Sequence, residues 1–156
     1  MKDFKVTDKF INYTIVISLI IILLICIVIN ISYSYALEIK IDENLENVQN
    51  VKFKIENMEK ENTKLYIKGF AYKEGEDVKN FKNSIIIKNI ENNKYYKIPT
   101  SMKINNDLKK DYDYSRGGFE AKINLKTLKS GEYEIYILYQ SNKENTVIKT
   151  NENISI

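Results

Sequence analysis

The sequence predicts one membrane-spanning α-helix followed by a single all-β domain, an antiparallel β-sandwich of about seven or eight strands. Three observations predict it. The stretch Ile15 to Ile31 is apolar except for Ser18 and Asn30 and contains no Gly or Pro. From Val48 onward the hydrophobic period is two, in short runs separated evenly by turn residues. No segment after Leu37 keeps a long helical period.

The helix comes first. Crossing a hydrocarbon core of about 30 Å at about 1.5 Å per residue takes about 20 residues. No charge occurs between Lys9 and Glu38, so residues 10–37 are assigned to the span. The tail, residues 1–9, sets Lys2, Lys5 and Lys9 against Asp3 and Asp8. The far flank sets Glu38, Asp42, Glu43 and Glu46 against Lys40. The positive-inside rule then puts the N-terminus in the cytoplasm and the β domain outside. Ser34-Tyr35-Ala36 fits a small-x-small cleavage site. The apolar run exceeds the about 7–15 residues of a cleaved signal, so a retained signal-anchor is expected. Cleavage after Ala36, giving a secreted protein, is the alternative. A pilin-like helix would need a processing glycine and an early glutamate, and neither stands near Phe10.

Composition removes several function classes. The 156 residues carry 24 basic and 21 acidic side chains, a formal charge of +3. Lysines alternate with Glu, Asp and Asn, and Arg116 is the only arginine, a poor match to a nucleic-acid reader. There is no histidine, which excludes nucleophile–histidine mechanisms. The single cysteine, Cys26, lies in the apolar stretch, so no internal disulfide or Cys/His zinc site can form. Leu23, Leu24 and Ile25 precede Cys26 where a lipoprotein signal wants Gly or Ala, so Cys26 reads as a small residue facing lipid.

Residues 38–47 are charged and Asn-rich and read as a stalk. The domain then runs 48–156. Val51, Phe53 and Ile55 alternate with Lys52 and Lys54 as a first strand. Met58 to Thr63 reads as a polar turn. Leu65 to Tyr72 is a second strand, with Gly69 marking a bulge or close approach. Lys73 to Asn83 reads as a loop, and Ile85 to Ile87, continuing toward Ile90, as a third strand. Asn92-Asn93 is a tight-turn signal, so Tyr95 to Ile98 returns as its hairpin partner and ends at Pro99. Thr100 to Gly118 shows no alternation and is the longest irregular run. Phe119, Ala121, Ile123 and Leu125 alternate inward, then Tyr133, Ile135, Ile137 and Tyr139. Thr146 to Thr150 and Ile154 to Ile156 complete the strands.

Leu128-x-x-Gly131-x-Tyr133 resembles the tyrosine corner of immunoglobulin-like and fibronectin-like sandwiches. There the tyrosine opens the penultimate strand and its hydroxyl bonds back upstream. Gly69-Phe70-Ala71-Tyr72, Tyr95-Tyr96-Lys97-Ile98-Pro99 and Gly118 to Ile123 are similar to small extracytoplasmic modules of low-G+C Gram-positive cell-surface and surface-glycan proteins. The resemblance implies an immunoglobulin-like fold and a recognition or accessory role, and brings no catalytic residue to this chain. The paired disulfide cysteines and the tryptophan of antibody domains are absent.

Chemistry-bearing residues are sparse. Gly117-Gly118 precedes a strand and is no phosphate-cradling loop. Asp107, Asp111 and Asp113 in one loop, with Glu74, Glu76 and Asp77 in another, lack a spacing that singles them out as an acid/base pair. Asp111-x-Asp113-x-Ser115 opens like an EF-hand, but Arg116 and Lys122 occupy the positions that need Gly and Glu. No metal, cofactor or catalytic residue is expected. The candidate ligand contacts are Tyr95, Tyr96, Tyr112, Tyr114 and Arg116, which combine ring faces with a planar cationic fork. The expected partners are the lipid bilayer, through Ile15 to Ile31, and a cell-envelope protein or glycan. The rivals are an accessory subunit with the domain as a spacer, in which Ser18 and Asn30 bond across helices, and a carboxylate glycan hydrolase.

Overall fold

The computed structural model describes residues 8–33, 35–41, 50–75, 81–109, 112–141 and 145–156. Several expectations lie outside these residues: the charges of the tail at Lys2, Asp3 and Lys5, Ser34 of the cleavage motif, most of the stalk with Asp42, Glu43 and Glu46, and Glu76, Asp77 and Asp111.

Helix α1 spans Asp8–Ser32. Its stretch Phe10–Ser32 is long and apolar enough to cross a membrane. The Ile and Leu side chains along it are exposed all round, as expected of a helix whose apolar surface meets lipid rather than protein. Two polar groups are satisfied internally. Thr14 Oγ1 donates to the Phe10 carbonyl at 2.9 Å, and Ser18 Oγ to the Thr14 carbonyl at 2.8 Å. The Ser18 hydroxyl is thus spent within its own helix rather than held free for another.

The β domain contains nine strands among the described residues: β1 Leu37–Ile39, β2 Val51–Glu61, β3 Lys64–Lys73, β4 Phe81–Asn89, β5 Tyr95–Ile98, β6 Thr100–Lys103, β7 Gly118–Asn124, β8 Glu132–Ser141 and β9 Asn145–Ser155. They form two antiparallel sheets, ordered β1-β5-β4-β8-β9 and β2-β3-β7-β6. Both sheets contribute to one core. Leu65, Ile67, Ala71, Phe119, Ala121 and Ile123 come from the four-stranded sheet. Ile85, Ile87, Ile98, Ile135, Ile137 and Tyr139 come from the other. The alternation of β7 and β8 read from sequence is the alternation of burial observed.

The two strands that the sequence reading did not place are short edge pieces. β1 pairs with β5, Leu37 opposite Lys97, and Ala36 packs against the core. The helix therefore stops at Ser32 rather than reaching Leu37, and the expected stalk begins inside a strand. β6 occupies the first four residues of the expected irregular run and pairs with β7. It lies at a sheet edge with Ser101, Met102 and Lys103 all exposed, so no alternation betrays it.

Other boundaries shift for similar reasons. Met58 to Glu61 continue β2 instead of forming a turn. β2 is an edge strand, which tolerates exposed Glu59, Lys60 and Glu61. A register shift between Ile55 and Asn57 restores Met58 to the core side. The turn shrinks to Asn62-Thr63, with Asn62 at φ 52°. Gly69 pairs with Ile55 beside that shift, and a Cβ there would strike the Lys54 carbonyl. Phe81 to Asn83, read as loop, begin β4. Leu125 leaves the strand for the 3-10 turn Leu125–Thr127, still buried. β9 runs unbroken through exposed Asn151 to Asn153, where its pairing with β8 shifts register. The Asn92-Asn93 turn is as expected, with Asn93 at φ 57°. At Pro99 the chain passes from one sheet to the other.

Candidate functional site

Between β6 and β7, residues 104–109 and 112–117 are tied together by hydrogen bonds. Asn105 caps the 3-10 turn Asn106–Leu108, its side chain accepting from the Asp107 amide at 3.1 Å. The Asn105 amide donates to the Ser115 carbonyl at 2.8 Å, closing the segment on itself. Asp113 Oδ1 accepts from the Ser115 amide at 3.0 Å. Hydrogen bonds from Ser115 hold the Asp113 carboxyl below the usual carboxylate range, and the charges of Lys109 and Arg116 act in the same direction.

Four rings pack in a row along this segment and β3. Phe70 and Tyr72 lie 5.8 Å apart, Tyr72 and Tyr114 4.2 Å, Tyr114 and Tyr112 5.8 Å. Tyr72, Leu108 and Tyr114 form a second small core. Tyr114 is buried, and its hydroxyl accepts from the Gly75 amide at 2.8 Å. Its chemistry is therefore consumed in holding the segment down. Tyr112, at the end of the row, is exposed.

Arg116 stands in the 3-10 turn Ser115–Gly117 and is exposed. It lines a pocket of about 290 Å³ with Lys82, Asn83, Thr100, Met102, Gly118 and Phe119. Two cations and the Thr100 hydroxyl thus meet an apolar wall of Met102 and Phe119. Asn83 builds the pocket from below. Its Nδ2 donates to the carbonyls of Ala71 and Gly117, both at 2.8 Å, fixing the turn that carries Arg116. Asn83 Oδ1 is buried without a hydrogen-bond partner. Thr100 Oγ1 accepts from the Ile85 amide at 3.0 Å and donates to the Ile98 carbonyl at 2.8 Å. Among the described residues, no carboxylate lies within 4.0 Å of Arg116 or Lys82.

Tyr95 and Tyr96 belong to β5 in the other sheet and point to opposite faces. Tyr96 packs against the core, edge-on to Tyr133 at 6.3 Å. Tyr95 meets Tyr136 edge-on at 6.0 Å, with Lys88 Nζ 5.4 Å from its ring centroid. The structure brings Tyr112 and Tyr114 together, but it shows no ring contact between them and the β5 tyrosines among the described residues.

The corner residues Leu128, Gly131 and Tyr133 sit at the entry to β8. Tyr133 is fully buried, and its hydroxyl donates to the Lys129 carbonyl at 2.9 Å. Leu128 packs against the core. Gly131 has φ 152° and exchanges two backbone hydrogen bonds with Ile156.

Sequence reasoning missed Lys82 and Asn83, because they fell in a stretch without strand periodicity. Phe70 and Tyr72 were legible as strand residues, and only the fold reveals that they carry Tyr114. Among the described residues there is no group of three or more His, Cys, Asp or Glu that could hold a metal ion. Glu74 pairs with Lys52 at 3.6 Å. No protein-family model matches this chain, and no curated protein matches it.

Proposed function

We propose that this chain is a single-pass membrane protein whose β domain is an immunoglobulin-like sandwich on the outer side of a bacterial cell membrane. It recognises a cell-envelope protein or glycan and performs no catalysis. The observation that carries this reading is α1. A helix with every large apolar side chain exposed has no stable place in water, since leaving one such residue unburied forgoes about 1.5–3 kcal/mol. A bilayer supplies that burial. The N-terminal excess of lysine supports a cytoplasmic tail and an external domain. The bond from Tyr133 to Lys129 at the start of the penultimate strand supports the immunoglobulin-like assignment.

For the ligand, the Arg116 pocket is the best-supported contact. Its planar fork and the Lys82 ammonium suit a phosphate or carboxylate, and Met102 and Phe119 suit an apolar or sugar body. Two experiments test the reading. Protease added to intact protoplasts should digest the β domain, and full protection would overturn the topology. Full-length protein in neutral nanodiscs should bind isolated cell envelope, and Arg116→Ala with Lys82→Ala should reduce that binding at least tenfold. Equal binding by the folded double variant would remove the pocket from the account.

A further inference from the structure

The Arg116 pocket does not end at Lys82. Strand β4 presents Lys82, Ser84, Ile86 and Lys88 to the side of its sheet away from the core residues Ile85 and Ile87. Lys97 lies beside Ile86, and Tyr95 beside Lys88. Ile86 is completely buried on this outer side, so its neighbours pave over it. Lys82 belongs to both regions, since it lines the pocket and its charge disfavours the charged form of Lys97, adding to the effect of burial.

Five lysines elsewhere are matched. Lys94 pairs with Glu38, Lys149 with Glu134, Lys52 with Glu74, and both Lys68 and Lys103 with Glu120. Among the described residues, Arg116, Lys82 and Lys97 have no carboxylate within 4.0 Å. Arg116, whose charge also acts on Asp113, is followed by Lys82 and Lys97, and together they leave a positive track along β4, with Lys88 beyond them opposite Glu134. Lys82 to Lys88 alone is about 20 Å of strand at about 3.3 Å per residue. A small anion cannot touch its whole length.

We propose that this track, from Arg116 through Lys82 and Lys97 to Lys88, binds a linear polyanionic glycan, a sugar or polyol chain carrying a phosphate in each repeat. The proposal rests on the reading of the pocket as an anion site and extends it. Nucleic acid fits less well. The track has one arginine fork, and its rings are engaged, Tyr95 with Tyr136 and Lys88, so no row of free ring faces is offered to bases.

The test uses full-length protein in neutral nanodiscs and two probes, glycerol phosphate and long poly(glycerol phosphate). The polymer should bind more tightly than the monomer, with an affinity that falls as salt rises. Lys97→Gln and Lys88→Gln should each weaken polymer binding and lower the salt slope by about 1, as expected when one counterion-releasing contact is lost. Neither should change monomer binding, whereas Arg116→Ala should. Lys97→Arg should retain the polymer affinity. Polymer binding with the lysine effects intact, but no monomer binding, would support the track and remove the pocket as an independent anion site. Monomer binding with polymer affinity and slope unchanged in both lysine variants would overturn the track and leave the pocket. Equal affinity of the wild type for duplex DNA or for phosphatidylglycerol vesicles would also overturn the assignment to a glycan.

Discussion

The side-chain amide of Asn83 donates to the Gly117 carbonyl at 2.8 Å, tying the first residues of β4 to the turn that carries Arg116. The same Nδ2 reaches the Ala71 carbonyl in β3, so one buried side chain joins three segments. Asn83→Ala should therefore cost about 2–3 kcal/mol, because two buried acceptors lose their donor. Chemical denaturation measures this. A variant with an unchanged midpoint would show that the turn keeps its position by backbone contacts alone. A folded Asn83→Ala protein should also bind anions more weakly, since Arg116 loses its support.

Tyr133→Phe should cost about 1 kcal/mol for the lost bond to Lys129, and more if that carbonyl finds no water. Gly131→Val should cost more than Tyr133→Phe. Its φ of 152° is one that side-chain-bearing residues rarely adopt, and its Cβ would lie 3.2 Å from Asn89 Nδ2. Thermal and denaturant midpoints of both variants check the ranking. The reverse order would mean that the corner is held chiefly by the hydroxyl.

Acid should weaken the sheet at Glu134. Hydrogen bonds from Lys149 and Tyr136, with the charge of Lys149, hold this carboxyl below its ordinary value of 4.5. The unfolded chain then takes up the proton more readily than the folded one. The stabilisation is complete above the ordinary value and is lost as the pH falls through the lowered one. The stability difference between wild type and Glu134→Gln should shrink as pH falls from about 7 to about 3. A difference that stays constant over that range would show that the carboxylate charge contributes nothing.

Mass spectrometry of the protein from membranes should find the helix still attached. Recovery of a chain beginning at Leu37 would establish cleavage after Ala36 and convert the anchor into a signal.

The legible parts of the fold were those where one physical signal acts alone. β7 and β8 alternate because each has one face on the core, and Asn92-Asn93 turns because Asn tolerates positive φ. The edge strands were hidden. β6 and the distal half of β2 expose most of their side chains, so hydrogen bonding rather than hydrophobic pattern makes them strands. The start of β4 was hidden for the opposite reason, since buried Asn83 resembles a loop residue until its two acceptors are known. Of the candidate contacts, Arg116 stood out as the single arginine. Tyr114 stood out equally, and its ring proved to be packing, because nothing in the sequence places Tyr72 opposite it.

On the proposed topology, the contact of Ala36 with the core, immediately before β1, bears on the order of events during export. Once Leu37 to Ile39 have zipped onto β5, the Ala36–Leu37 bond adjoins a formed ladder rather than a free extended chain. A peptidase that needs an extended, accessible substrate would then have to act before that pairing. Folding and processing at this junction would be competitors in time, and a domain that folds quickly would protect its own anchor.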